Sequence, residues 1–157
     1  MIEDPLVRLE EGLAYRLTLL LGPAGSGKTT LLRRWAASVR VPVAWLSLTA
    51  VDNDPEIWLN RVAEALSPLA PLPLLLPEAG EERLVALLNI LVDLHRPVAF
   101  VLDDYHHVTS PQVHALLASG ITYLPPAMHL YLAARRSPPL PLALWRVRRQ
   151  LLEIAVG

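Results

Sequence analysis

At 157 residues the chain suits one α/β domain with a single large core. Apolar residues make up 53% and mean hydropathy is +0.37, yet Pro or charged residues interrupt each apolar run before it reaches membrane-spanning length. A formal net charge of −1 and the lack of cysteine exclude a broadly basic nucleic-acid binder, a disulfide framework and a thiolate metal site.

The opening MIEDPLVRLEEG is acidic and has no apolar h-region. It does not read as a secretion signal, so a cytoplasmic protein is expected. Arg16–Leu21 is a short apolar run ending at Gly22, which suits a buried parallel strand. Beyond the glycine-rich GPAGSGKTT, Leu31, Leu32, Trp35, Ala36 and Val39 fall at helical spacing, with Arg33, Arg34 and Arg40 off the stripe. PVAWLSL (42–48) predicts a second strand. Asp54-Pro55 then supplies an N-cap and a first-turn proline for a helix burying Ile57, Trp58, Val62, Ala65 and Leu66.

Ser67 to Gly80 holds four prolines and predicts a loop packed by its leucines. A helix is expected over 81–94, with Leu84, Leu87, Leu88 and Leu91 inward. Val98–Leu102 predicts a third buried strand, ending in Asp103-Asp104. Ser110-Pro111 starts a helix carrying Val113, Leu116 and Leu117, with Gly120 weakening its far end. His129–Ala134 predicts a fourth strand. A Pro-rich connector and a basic helix over 143–149 lead to a fifth, 151–156. Strands alternating with helices imply a three-layer α/β sandwich, a mostly parallel five-stranded sheet of the P-loop NTPase class, with residues 1–157 as one domain.

Gly22-Pro23-Ala24-Gly25-Ser26-Gly27-Lys28-Thr29 fits G-x-x-x-x-G-K-[ST] in full, between a predicted strand and a predicted helix. Glycines let successive backbone N–H groups, through Thr30, turn inward at phosphate oxygens, and the helix start adds partial positive charge. Lys28, the one lysine among 14 basic residues, is placed to reach the β- and γ-phosphates. The Thr29 hydroxyl is a candidate Mg²⁺ ligand. The implied ligands are ATP or ADP with Mg²⁺.

Asp103-Asp104 at the tip of an apolar strand has the form of a Walker B pair. Asp103 is the candidate metal-side carboxylate, and Asp104 is placed to orient or deprotonate an attacking water. The wide separation of the two motifs excludes the simplest arrangement, in which the second motif sits on the very next strand. In the ATPase branch with an acidic pair, the next strand inserts between them, which brings Arg135, at the tip of 129–134, to face the γ-phosphate. Arg135 is the candidate sensor.

With these motifs in place, PVAWLSL, DNDPEIWL, VLDDYHHV and YLAARRSPPLPLALWRVRRQLLEI resemble the nucleotide-binding domain of MalT-like, LuxR-type bacterial transcription regulators. These are STAND-class signal-transducing ATPases, relatives of AAA+ proteins. The resemblance runs from about Pro5 to Ile154. It implies an acidic pair at Asp103 and Asp104 and a sensor arginine at Arg135. It also implies ATP binding, self-association in the ATP form when an inducer binds, and activation of transcription. Gly22 stands where this family often has Ala. The family's winged-helix, repeat and helix-turn-helix parts are absent from this sequence, so inducer sensing and direct DNA contact are not carried over. A fragment, a stand-alone piece or a truncated relative is expected, with the other domains of a parent regulator as partners.

Three function classes follow. The first is an ATP-hydrolysing switch with Lys28, Asp104 and Arg135 in catalytic roles. The second is a non-catalytic nucleotide-gated interaction module. The third is a small-molecule kinase, for which Arg146, Arg148 and Arg149 would imitate a lid. Other strings read as structure: the P-x-x-P of 137–141 as a stiff connector, Trp145 with its arginines as a solvated basic face, and His106, His107 and His114 as ordinary histidines.

Overall fold

The computed structural model describes residues 4–70 and 79–157. The loop expected over 67–80 falls mostly on 71–78, outside the described residues. Five strands, β1 (Leu17–Leu21), β2 (Val43–Ser47), β3 (Val98–Asp103), β4 (Met128–Ala134) and β5 (Leu151–Ala155), form one sheet in the order β2-β3-β4-β1-β5. All four pairings are parallel. As expected for the branch with an acidic pair, β4 lies between the two motif strands.

Strand composition decides the layering. Along β3 and β4, alternate side chains enter two separate cores: Phe100, Leu102, Leu130 and Leu132 on one face, Ala99, Val101, Tyr131 and Ala133 on the other. A sheet buried on both faces needs unbroken apolar strands, and every β3 residue is buried. This accounts for much of the high apolar content. The first face is covered by α3 (Pro55–Leu66), α4 (Gly80–Leu91) and α5 (Pro111–Thr122). The second is covered by α1 (Pro5–Glu11) and α2 (Lys28–Ser38), and a short α6 (Leu142–Val147) leads into β5.

Local signals fix the helix starts. Asp54 accepts N–H bonds from Glu56 and Ile57, and Ser110 accepts one from Val113, each followed by Pro at the first helical position. α1 begins the same way, Asp4 accepting from Leu6 N before Pro5. It places Leu9 in the second core and its carbonyl against Tyr131 Oη (2.7 Å).

Some expectations need correction. Ile57 is exposed, because Trp58, Leu59, Val62, Ala63 and Leu66 set the buried stripe of α3 one position further round. α4 stops at Leu91 instead of 94. Gly120 does not end α5; the helix runs on to Thr122, and a Cβ at Gly120 would sit in ordinary contact with Leu84 of α4. The helix expected over 143–149 spans Leu142–Val147, and its Trp145 is buried in the first core, away from any solvated face. Among the described residues no helix is long and apolar enough to cross a membrane.

Candidate functional site

Strand tips meet at the carboxyl edge of the sheet. Register pairs Leu21 with Ala134, and Gly22 N–H donates to Ala134 O (3.3 Å). The loop after β1 therefore starts level with Arg135. Gly25 (φ 77°) and Gly27 (φ 91°) hold the left-handed backbone that closes the curl, and a Cβ on either would meet open space. These sites are glycine for conformation, not for lack of room. Gly27 caps α2, leaving the first amides of an 11-residue helix directed into the loop.

Lys28 is buried, and its ammonium donates to Gly22 O (2.5 Å), Pro23 O (3.0 Å) and Ser26 Oγ (3.3 Å). Three oxygens of its own loop thus satisfy the charge. Thr29 Oγ1 donates to Asp103 Oδ2 (2.7 Å), and the other Asp103 oxygen accepts from Asp104 N–H (2.9 Å). Asp104 itself lies in the left-handed region (φ 58°, ψ 41°), a conformation Asp tolerates better than most residues. That single turn swings it off the strand axis, so Asp103 stays buried while Asp104 faces outward.

Residues 24–30, Asp104, His106 and Arg135 line a common cleft of about 350 Å³. The glycine loop, the second aspartate and the arginine are thus brought to one cavity, with Asp103 behind them on Thr29. The open curl, the helix amides and the buried hydroxyl–carboxylate pair fit a polyphosphate with a small hard cation: N–H donors for phosphate oxygens, O donors for the metal. Thr29 and Asp103 would hold the Mg²⁺, which when bound would draw charge from the phosphoryl oxygens.

Two residues were missed by the sequence reasoning. Asn53, in the 3₁₀ turn Ala50–Asn53, donates to His107 O (3.0 Å) and accepts from Thr109 N (2.7 Å) and Ser110 N (2.9 Å). It clamps the segment that follows Asp104. His106 enters the cleft with both ring nitrogens shielded and without a hydrogen-bond partner among the described residues. Burial foremost, then Arg135 and His107, hold its pKa below the ordinary histidine value. His114 is engaged with Tyr105 Oη through Nδ1 (2.6 Å), and among the described residues no three-residue metal cluster forms.

The outer strand closes on the same loop. Val156 N–H donates to Leu21 O (2.8 Å), and a Cβ on Gly22 would stand 2.2 Å from Val156 O and 2.7 Å from Ser26 Oγ.

Comparison with known proteins bears on the fold and the family. Residues 14–122 match the AAA domain family. The chain is 37% identical over 158 residues to the HTH-type transcriptional regulator MalT of Serratia proteamaculans, covering 95% of this chain and 17% of that protein. Among solved structures, Cdc6p of Pyrobaculum aerophilum superposes with a TM-score of 0.64 at 16% identity, covering 95% of this chain and 44% of that one. A STAND protein with a tetratricopeptide-repeat sensor from Pyrococcus horikoshii superposes with a TM-score of 0.63 at 14% identity, covering 99% and 23%. These two likenesses concern the fold. The chain spans less than a fifth of the MalT proteins it matches. The chain belongs to the AAA domain family and is related over nearly its whole length to the MalT regulators.

Proposed function

We propose that this chain is an ATP-binding, slowly ATP-hydrolysing switch domain of a MalT-like regulator, acting in the cytoplasm. The reading is carried by one observation: the 24–30 loop, Asp104 and Arg135 line one cleft, backed by the Thr29–Asp103 pair. Loop amides and the α2 N-terminus would cradle the phosphates, with Lys28 turning from its loop oxygens toward the β- and γ-phosphates. Asp104 would accept the proton of the attacking water. Arg135, placed by β4 between the two motif strands, would meet charge at the terminal phosphate. A cation whose partner is present in ATP and gone in ADP gives the domain two states to report to its neighbours. Those neighbours would be other domains of a parent regulator, or further copies in the ATP state.

Calorimetric titration with ATP, ADP and GTP plus Mg²⁺, followed by phosphate release on the same sample, tests the reading. Adenine-nucleotide binding with slow release of inorganic phosphate is expected. Tight binding without turnover would move the assignment to the nucleotide-gated module. A phosphorylated metabolite in place of free phosphate would move it to the kinase. No binding, or unaltered affinity in Lys28→Ala, would remove all three.

A further inference from the structure

Beside the phosphate cleft lies a second cavity of about 480 Å³, which shares Arg135 and His106 with it and is bordered elsewhere by Thr109, His114, Arg136 and Pro138. Asp104 borders the cleft, but among the described residues no carboxylate borders the second space. Arg135 and Arg136 are exposed, and neither forms a hydrogen bond or ion pair among the described residues. His114 adds a donor whose sense is fixed. Burial pushes the Tyr105 phenol above its ordinary pKa, so its hydroxyl keeps the proton and donates to His114 Nδ1 at 2.6 Å. Burial also holds His114 below the usual histidine value, which keeps the ring neutral at pH 7. The ring proton therefore rests on Nε2, the nitrogen that Tyr105 does not engage. Two guanidiniums and an imidazole N–H with no acid beside them make a space for an oxyanion. Pro138 and Pro139 stiffen the wall that follows Arg136.

Resting on the ATPase reading above, we propose that this second cavity is a product site, which receives inorganic phosphate once it has parted from ADP and holds it through Arg136 and the His114 N–H. Its volume is ample for a tetrahedral anion and accompanying waters. Cleavage leaves the free phosphate beside the carboxylates of Asp103 and Asp104, whose like charge repels it. Arg135 borders both spaces, so the anion passes from one to the other without leaving a guanidinium. No bond is made or broken in the transfer. Mg·ADP then stays in the glycine loop while phosphate occupies a place of its own.

The test titrates inorganic phosphate into the whole chain saturated with Mg·ADP and follows binding by phosphorus NMR line broadening. Arg136 borders the second cavity and not the cleft, so it separates the two places. Arg136→Ala is expected to lose about tenfold or more in phosphate affinity while Mg·ADP affinity stays within about twofold. The unchanged Mg·ADP affinity also shows that the variant is folded. Arg136→Lys should regain part of the loss, and His114→Ala should weaken phosphate by about threefold or more. Acetate at the same concentration should not displace phosphate; displacement would make the space a carboxylate site and overturn the assignment. Phosphate that does not bind, or that binds Arg136→Ala as it binds wild type, would overturn the product site while the ATPase reading stands. A wild-type chain that does not bind Mg·ADP would overturn both.

Discussion

Thr29 Oγ1 and Asp103 Oδ2 stand 2.7 Å apart, joining the start of α2 to the tip of β3 across 74 residues of chain. The hydroxyl spends its proton on the carboxylate and leaves its lone pairs for a cation. Thr29→Val keeps the shape and removes the oxygen. Nucleotide affinity with Mg²⁺ should fall at least about tenfold, and affinity measured in chelator should hardly move. Thr29→Ser should behave as wild type. An equal loss with and without Mg²⁺ would argue against a metal role.

Asp104 offers an unusually clean substitution, because Asn shares its tolerance for left-handed backbone. Asp104→Asn should keep nucleotide affinity and slow phosphate release by roughly 100-fold or more. Asp104→Ala should show the same kinetic defect plus about 1 kcal/mol of lost stability from the strained backbone. Stopped kinetics and chemical denaturation separate the two effects; unchanged turnover in both variants removes Asp104 from the chemistry.

Asn53 carries no charge, yet it satisfies three backbone groups of the segment that follows the aspartates. Asn53→Ala should cost about 1–3 kcal/mol and lower turnover more than ADP affinity. Hydrogen exchange at 107–110 should rise in step. Protection left at wild-type levels would show that the clamp is dispensable.

Gly22→Ala tests the contact between the phosphate loop and β5. The added Cβ would collide with the Val156 carbonyl, so backbone must shift. A loss of about 1–3 kcal/mol by urea denaturation is expected. A midpoint equal to wild type would mean that the tail yields without cost.

Tyr131 and Tyr105 give the protein an alkaline limit. Burial raises both phenols well above the ordinary value of 10.0, with Glu10 adding to the effect at Tyr131. Stability from a raised phenol is complete below about pH 10 and declines above it, because the unfolded chain gives up the proton first. Unfolding free energy should therefore fall steeply above about pH 10. Tyr131→Phe should flatten that fall, while costing about 1–3 kcal/mol at neutral pH by stranding the Leu9 carbonyl.

How much of this was readable in advance depends on how far apart the cooperating residues lie. The phosphate loop is a contiguous string, and its neighbours announce themselves by period, so Lys28, Thr29 and the β4 insertion could be placed without coordinates. The Asp-Pro start was recognised at Asp54-Pro55 but passed over at Asp4-Pro5, where only seven helical residues follow and no long apolar stripe supports them. Ile57 misled because apolar neighbours two deep leave the facing angle of a helix open until its partners are known. Asn53 drew no notice in the sequence, and His106 read there as an ordinary histidine. Their significance comes from a turn 54 residues before His107 meeting its carbonyl, and from rings whose isolation appears only when the cavity around them is built.

The stitch between Val156 and the floor of the glycine loop has a mechanical consequence. β5 is an edge strand held to the sheet on one side only, by β1. Val156, just past its end, ties it to the residue that precedes the glycine loop, so a displacement of this border would be felt at Gly22. Conversely, a shift of the loop backbone at Gly22 would have to be matched at the sheet's outer border.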